Sequence, residues 1–395
     1  MRKPVGVALG ILGLVTVLAV TAWRLARVPA SPPSTVSVGE ALAGESTEGF
    51  ARALAPRAFV FPRDHGPHPE FRTEWWYYTG NLRDPSGRHF GFQLTFFRIA
   101  LAATMPARAS AWASRDAYLA HFALTDTAGQ RFSAASRSSR GALALAGAQA
   151  QPFKVWMEDW SAEGLAGDAA TVRLQAAEGD VAIDLRLQSA KGVVPQGERG
   201  LDRKGPEPGN ASHYYSLTRM SVTGRVAARG VSFEVSGLAW MDREWGTSAL
   251  GPELVGWDWM ALQLDDGREV MLYHLRRADG RPDRFSGGSL IAVDGSSRRL
   301  VASEFRIEVL DTWSSPRDGT RYPSRWRVTV PREALEVEVI PRLADQELVL
   351  SVRYWEGAVR VQGSVGGRPV GGGGYAELVG YAGPANTRKG ATISW

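Results

Sequence analysis

The sequence of 395 residues contains no cysteine, which excludes disulfide bonds, thiol catalysis and any zinc or iron–sulfur site held by cysteine. An excess of charge of one sign is also lacking. The formal net charge is +5, but four basic residues lie in an N-terminal stretch without acidic residues: Arg2, Lys3, Arg24 and Arg27. Without these four charges the remainder carries +1, so the composition does not favour nucleic-acid binding.

Signatures of nucleotide-binding and hydrolase sites are absent as well. No glycine-rich phosphate loop precedes a helical pattern, and no Gly-x-Ser-x-Gly elbow occurs. The 6 histidines are scattered, and only His65 and His68 lie close together, so no metal site is predicted. We therefore expect neither a metal nor another cofactor, and no nucleic acid as a partner.

Residues 1–30 have the pattern of a targeting segment rather than of a folded domain. Arg2 and Lys3 precede an uncharged, mostly apolar run, residues 5–23, which is long enough to span a bilayer. Positive charge before such a run favours a cytoplasmic N-terminus, which predicts a periplasmic location for the rest of the chain. The segment is either a transmembrane anchor in the inner membrane or a signal peptide that is cleaved after export. Residues 31–58, rich in Ser, Pro, Ala and Gly, are predicted to be a linker.

The stretch FRTEWWYYTGNLRDPSGRHFGFQLTFFR, residues 71–98, has the pattern of a β-hairpin. In its first arm the odd-numbered Trp75 and Tyr77 face one way and the even-numbered residues face the other. Asp84-Pro85-Ser86-Gly87 supplies the turn, because proline fixes one φ angle and glycine accepts a positive one. Consecutive aromatic residues favour a strand, since flat rings pack well across a pleated sheet.

The same pattern returns in GWDWMALQLDDGREVMLYHLRR, residues 256–277. Trp257 corresponds to Trp75, and Trp259 corresponds to Tyr77. This match indicates an internal duplication. Three further pairs of segments correspond in the same order: Tyr118–Thr125 with Ser289–Val293, Phe153–Ser161 with Phe305–Ser314, and His213–Arg219 with Arg353–Gly357.

The duplication divides the chain into residues 59–249 and residues 250–395. Each half supplies many short strands with turns at regular spacing, which predicts an all-β fold of two closed antiparallel β-barrels in tandem. Two stretches do not follow the strand pattern. Residues 98–117 have a composition compatible with a short helix or a lid, and residues 195–210, rich in Gly and Pro, are predicted to be a long loop.

Carboxylates lie among aromatic residues at several places: Glu74, Asp242, Glu244, Asp258 and Glu377. In an apolar pocket the pKa of a carboxyl group rises, so the group can stay protonated near neutral pH. A neutral acid could protonate an alkene, and the faces of the surrounding rings would stabilise the resulting cation. The alternative is that these carboxylates pair with arginines and hold strands together; Arg72, Arg219 and Arg243 are the candidates.

The candidate catalytic residues are therefore Asp242 and Glu244. The candidate ligand-binding residues are the aromatic residues of the two hairpins and of the segments that pair with them, together with two acids: Glu74, Trp75, Trp76, Tyr77, Tyr214, Tyr215, Trp240, Trp245, Trp257, Trp259 and Glu377. Tryptophan often fills a core rather than lining a cavity, so some of these residues could be purely structural.

Five segments together carry a resemblance to a known family: HPEFRTEWWYYTGNL (His68–Leu82), HYYSLTRM (His213–Met220), AWMDREWG (Ala239–Gly246), GWDWMALQL (Gly256–Leu264) and YWEGAVRVQG (Tyr354–Gly363). They resemble the carotenoid 1,2-hydratase (hydroxyneurosporene synthase) superfamily and, within it, the AttH-type lipocalin-like proteins associated with ABC transporters. The resemblance extends from about Phe59 to Trp395. It implies a tandem of two lipocalin-like barrels.

The resemblance implies two functions. The hydratases add water to a terminal isoprenoid double bond, and their segment resembles His-Asp-x-Asn-Trp-Gly where this chain has Met241-Asp242-Arg243-Glu244-Trp245-Gly246. The Asp and Trp-Gly are kept, so Asp242 is the acid carried over. The N-terminal segment favours the other function: an exported protein that binds a hydrophobic small molecule or lipid and serves an ABC-type transporter as an accessory. A hydro-lyase of the hydratase type is the alternative, and a solid structural scaffold is a third.

Overall fold

The structure is a computed structural model that describes residues 47–105, 110–165, 169–247, 250–251 and 253–382. The predicted anchor or signal peptide, residues 1–30, lies outside these ranges. Within them, no helix combines the length and the apolar character that crossing a membrane would require. The helices of the described residues are three short 3-10 turns, Arg63–His65, Ala302–Glu304 and Pro331–Glu333.

The first half of the chain forms a 13-stranded antiparallel sheet with the order β4-β3-β2-β1-β13-β12-β9-β8-β7-β6-β5, while β10 and β11 pair with β12. The strands are β1 Thr73–Arg83, β2 His89–Ala100, β3 Asp116–Asp126, β4 Arg131–Arg140, β5 Ala146–Ala150, β6 Phe153–Met157, β7 Trp160–Gly164, β8 Thr171–Glu178, β9 Val181–Ser189, β10 Val194–Pro195, β11 Leu201–Arg203, β12 Ala211–Ala228 and β13 Val231–Gly246.

The second half forms a 10-stranded sheet with the order β17-β16-β15-β14-β23-β22-β20-β19-β18, while β21 pairs with β22. Its strands are β14 Leu254–Leu264, β15 Glu269–Arg277, β16 Gly287–Ile291, β17 Ser297–Val301, β18 Arg306–Ser314, β19 Arg321–Val330, β20 Leu335–Pro341, β21 Glu347–Val349, β22 Arg353–Val365 and β23 Arg368–Val379. The two orders correspond strand for strand around β1 and β14, in agreement with the duplication.

The prediction of an all-β fold with two lipocalin-like barrels in tandem is confirmed, but the two sheets differ in how far they close. The first sheet is a nearly closed barrel and the second is a half-barrel. Among the described residues, no ladder joins β4 to β5 or β17 to β18, so the expected complete closure is wrong.

Three local predictions need correction. Phe153–Ser161 is a hairpin that reverses at Glu158, which has a positive φ of 56°. Its supposed match, Phe305–Ser314, instead runs on as strand β18. Within residues 98–117, β2 continues to Ala100 and β3 begins at Asp116, and the described residues between these strands form no helix. The predicted loop at residues 195–210 carries the short strands β10 and β11.

The first hairpin folds as its alternation predicts. Trp76 and Tyr78 are fully buried in the core of the first barrel, whereas Trp75 and Tyr77 lie on the outer face of the same strand and pack against residues of the second sheet. The turn is confirmed by a hydrogen bond of 3.0 Å from the Gly87 amide to the Asp84 carbonyl oxygen. Period-two alternation thus assigns one aromatic pair to the core and the other to the contact between sheets.

The two sheets pack through their outer faces, and polar side chains cross the contact. The Asn81 side-chain amide donates to the Gly374 carbonyl at 2.9 Å. The Gln263 amide donates to two carbonyls of the first sheet, those of Thr218 and Ala239, at 2.8 and 2.9 Å. These bonds satisfy backbone groups that the contact removes from water.

The two sheets approach each other closely at Gly91 on β2. A Cβ atom added there would lie 2.5 Å from the Cβ of Ala358 on β22, which is closer than side-chain atoms pack. Gly91→Val is therefore expected to lower the free energy of unfolding by about 2 kcal/mol or more, because overpacking forces the two sheets apart. Urea unfolding followed by tryptophan fluorescence measures this change. Gly192→Val, at an exposed position with open space around it, is the matched control; equal midpoints for the two variants would contradict the prediction.

Candidate functional site

A cavity of about 140 Å³ lies where the outer faces of the two sheets meet. Trp75 and Tyr77 on β1 line one side, and Trp257 and Trp259 on β14 line the other. The cavity therefore lies between the two barrels, a choice that the sequence left open. Eight residues predicted as catalytic or ligand-binding line it: Trp75, Tyr77, Tyr214, Asp242, Glu244, Trp257, Trp259 and Glu377.

Strand pairing brings acids beside the aromatic rings. Tyr77 lies opposite Asp242 in the β1–β13 pair, and Trp259 lies opposite Glu377 in the β14–β23 pair. Because β1 corresponds to β14 and β13 to β23, Asp242 and Glu377 occupy equivalent positions in the two repeats. The duplication thus produces two related walls, each with an aromatic residue and a carboxyl group side by side.

The carboxyl group of Asp242 accepts three hydrogen bonds. Ser216 and Trp240 donate to Oδ1 at 2.5 and 2.6 Å, and the Tyr214 hydroxyl donates to Oδ2 at 2.8 Å. Burial raises the pKa of Asp242 and the three donors lower it, with the result that the pKa is about 7. The group is therefore fixed in position and only partly ionised at neutral pH.

Glu356 and Glu377 lie directly opposite each other in the β22–β23 pair. Burial and the charge of Glu377 raise the pKa of Glu356 well above its ordinary value, and Tyr77 and Tyr354 act in the opposite direction. Burial, together with the charges of Asp242 and Glu244, raises the pKa of Glu377 to about 7, against the indole N–H of Trp257, which donates to it at 3.3 Å. The two opposed carboxyl groups favour sharing a proton over both being ionised.

Lys204 is the cation of the cavity wall. Its ammonium group lies 2.7 Å from a carboxylate oxygen of Asp202 and 3.0 Å from one of Glu244. Burial opposes the charged form, but these two carboxylates raise the pKa of Lys204 above its ordinary value. Burial also raises the pKa of Glu244, and Lys204 counteracts this shift. Glu244 is thus held by an ion pair, unlike the other acids of the cavity.

Glu74, predicted as ligand-binding, does not line the cavity. It is fully buried among Arg98 and Arg243, with which it forms ion pairs, and it accepts a hydrogen bond from the backbone amide of His68 at 3.1 Å. Burial opposes ionisation, but the two guanidinium charges hold the pKa of Glu74 well below its ordinary value. The alternative interpretation, a carboxylate that pairs with arginine and holds strands together, describes this residue.

Four predicted aromatic residues also lie away from the cavity. Trp76, Tyr215 and Trp245 belong to the core of the first barrel, because their strand positions have the opposite parity to the cavity-lining ones. The Trp76 indole donates to the His65 carbonyl at 2.8 Å, and Trp245 stacks on His68 with ring centroids 3.8 Å apart. Trp240 lies between the two sheets but outside the cavity lining, where its indole N–H donates to the carboxyl group of Asp242.

Several residues of the cavity were missed by the sequence analysis: Thr73, Thr95, Phe97, Lys204, Leu250, Tyr273, Leu275, Tyr354 and Glu356. The match between His213–Arg219 and Arg353–Gly357 could have identified two of them, since Tyr354 corresponds to Tyr214 and Glu356 to Ser216. No local signal pointed to Lys204, which reaches the cavity from the segment after β11. Among the described residues, no group of three or more potential ligands is arranged to hold a metal ion.

Asp242→Asn tests the environment of the central acid. The unfolded chain ionises this group near its ordinary pKa of 3.8, while the folded protein ionises it near 7, so wild-type stability falls as pH rises between these values. The asparagine removes that loss. We expect the free energy of unfolding of the variant, relative to that of the wild type, to be about 3 kcal/mol higher at pH 8 than at pH 4.5. Urea unfolding at both pH values measures this, with the exposed Asp265→Asn as control; a pH-independent difference would refute the shift.

The comparisons with known proteins agree with this architecture. A family model described as AttH-like matches residues 52–381. A crystal structure assigned to an AttH of Nitrosomonas europaea is 33% identical, with a TM-score of 0.75, and covers 84% of this chain and 99% of that one. No curated protein matches the sequence.

Two more distant structures share the fold. Kievitone hydratase from Nectria haematococca has a TM-score of 0.63 at 15% identity, over 86% of this chain and 98% of that one. CghA, crystallised with Sch210972, has a TM-score of 0.50 at 16% identity, over 85% and 97%. At such identities the likeness concerns the fold alone. The family model and the Nitrosomonas structure cover most of the chain, and the chain therefore belongs to the AttH-like family.

Proposed function

We propose that the protein binds a hydrophobic small molecule or lipid in the cavity between its two barrels. The observation that carries this proposal is the convergence of aromatic side chains from both sheets on one cavity, with Trp75 and Tyr77 facing Trp257 and Trp259. Aromatic walls with a few polar groups are typical of sites for small hydrophobic ligands. Among the described residues, the two largest hydrophobic core clusters lie inside the barrels and share no residue with the lining of this cavity.

The location and partner form a second part of the proposal. We place the barrels on the periplasmic side of the inner membrane, as an accessory to an ABC-type transporter. The basic residues and apolar run within residues 1–30 support export, and the resemblance to AttH-type proteins supports the transporter. Recovery of the native chain in the cytoplasmic fraction, or failure to cross-link to any permease, would count against this part.

The binding proposal predicts a retained ligand. The full chain, purified in a non-ionic detergent, is expected to carry a hydrophobic compound of defined mass, detected by native mass spectrometry and solvent extraction. Trp257→Ala should weaken retention on the order of tenfold, because one aromatic wall of the cavity is lost. Trp313→Ala, in strand β18 and not among the residues that line the cavity, is the control. An empty wild-type protein that takes up nothing from a lipid and isoprenoid panel would refute the proposal.

A hydro-lyase that adds water to an isoprenoid double bond is the second candidate. The observation in its favour is that Asp242 and Glu377, both at the cavity wall, have pKa values raised to about 7. A fraction of each group is therefore neutral at physiological pH and able to donate a proton. Glu244, predicted to assist Asp242, is less suited to this role because Lys204 holds it in an ion pair.

The chemistry requires one acid and one water. The acid donates its proton to one alkene carbon, and the π electron pair forms the new C–H bond. The remaining carbocation lies against the faces of Trp257 and Trp259, which stabilise positive charge. Water adds to it, and the proton released from that water returns to the carboxylate. No cofactor is consumed, and the mass of the substrate increases by one water.

Incubation with acyclic isoprenoids followed by mass spectrometry tests this candidate. If it is correct, the water adduct forms at a rate that falls as pH rises above about 7, because the neutral acid is then lost. Asp242→Asn and Glu377→Gln should each reduce the rate at least tenfold, whereas Glu163→Gln, a surface carboxylate paired with Lys154, should not. Full turnover by Asp242→Asn would remove Asp242 as the acid, and the absence of an adduct at any pH would remove the hydro-lyase.

A further inference from the structure

We infer that the cavity selects ligands that carry a positive charge, such as a hydrophobic compound with a protonated amine. This inference rests on the proposed ligand-binding function and names the chemical class that the site would accept. It follows from the balance of charges around the cavity, from one unpaired carboxyl oxygen, and from the aromatic faces beside it.

The cavity wall has more carboxyl groups than cations. Asp242, Glu244, Glu356 and Glu377 line it, against a single ammonium group, that of Lys204. Lys204 is shared between Glu244 and Asp202, a buried residue behind the wall, so it balances no further charge. Within the described residues, Asp242, Glu356 and Glu377 form no ion pair with any lysine, arginine or histidine, in contrast to Glu74 in the core of the first barrel.

Glu356 supplies the most direct sign of a missing partner. Its side chain is 1% exposed, and among the described residues its Oε1 atom has no hydrogen-bond donor of normal geometry. The hydroxyl of Tyr77 lies close enough to this carboxyl group to lower its pKa, but it makes no hydrogen bond of normal geometry either. Buried acceptors are rarely left unsatisfied, because burial removes their hydration without replacing it. A cationic N–H donor in the cavity would satisfy Oε1 and neutralise the opposed pair formed with Glu377.

Aromatic faces already surround a cation in this cavity. The ammonium group of Lys204 lies 5.9 Å from the centroid of Tyr214 and 5.4 Å from that of Tyr273, within the range of cation–π attraction. Trp257 and Trp259 offer similar faces near Glu377, where no side-chain cation lies over them among the described contacts. An organic cation at this place would combine ring contact with carboxylate pairing.

The same charges exclude the opposite class. Above about pH 7 Asp242 and Glu377 are mostly ionised, so an ionised fatty acid or a phosphate group would meet buried carboxylates, and like charges in a buried site repel strongly. The charge of Lys204 does not offset this repulsion, because its ammonium group already forms ion pairs with Asp202 and Glu244. Anionic lipids are therefore expected to bind weakly.

Three soluble compounds of similar size separate these classes: benzylammonium, its neutral isostere benzyl alcohol, and the anion benzenesulfonate. Calorimetric titration of the full chain in a non-ionic detergent at pH 8, with detergent alone as blank, measures each affinity. The cation is expected to bind at least tenfold more tightly than the isostere, and the anion not measurably. Binding of the isostere or of the anion as tight as that of the cation would overturn the inference.

Glu356→Gln preserves the shape of the side chain and removes its charge. It should reduce the affinity for benzylammonium about tenfold and leave the affinity for benzyl alcohol unchanged or increased, which loss of structure would not do. Glu377→Gln should behave likewise and replaces it if Glu356→Gln does not fold; Glu163→Gln is the surface control. If neither glutamine variant alters cation binding, the inference fails.

The outcomes also separate this inference from the proposed function. If none of the three compounds binds while a hydrophobic molecule co-purifies with the protein, the cavity binds ligands but does not select cations. If nothing binds and nothing co-purifies, both proposals fail together.

Discussion

The central strands of this protein are buried on both faces, and the rest of the structure depends on this constraint. All twelve residues of β2 are buried, since one face packs into the first barrel and the other meets the second sheet. A strand in this position must be apolar or hydrogen-bonded on both sides. That requirement explains why aromatic residues are consecutive in the hairpin. On β1 the even-numbered side chains pack inside the first barrel, and the odd-numbered side chains pack against the second sheet. The cavity is a gap in the second of these contacts.

Duplication followed by divergence accounts for the polarity of that gap. Asp242 and Glu377 are equivalent in the two repeats, yet Asp242 lies opposite Ser216 whereas Glu377 lies opposite Glu356. One acid is thereby satisfied by neutral donors, while the other meets a second acid. Lys204 is present on one side only, because the long segment before β12 belongs to the first repeat. The cavity walls from the two repeats therefore share the same strand pairing but carry different charged side chains.

Alternation and internal repetition made the fold and part of the site predictable. The pattern around Trp75 and Trp257 identified the strands, the duplication and both aromatic walls. The predictions that failed concern features that depend on contacts between residues distant in sequence. The parity of Trp76 and Trp245 indicates a face but not whether that face meets a core or a second sheet, and Glu74 gave no sign of the two arginines that surround it. Closure of each barrel depends on edge strands whose pairing no local pattern encodes.

The close approach at Gly91 and Ala358 has a consequence for how such a protein can change. Two small residues that do not line the cavity limit the distance between the sheets here, while the lining side chains belong to neither barrel core. Exchange of a lining residue therefore removes no contact within either hydrophobic core. The lining positions, spread over eight strands, are the places where the specificity of this cavity can change while both barrels keep their packing.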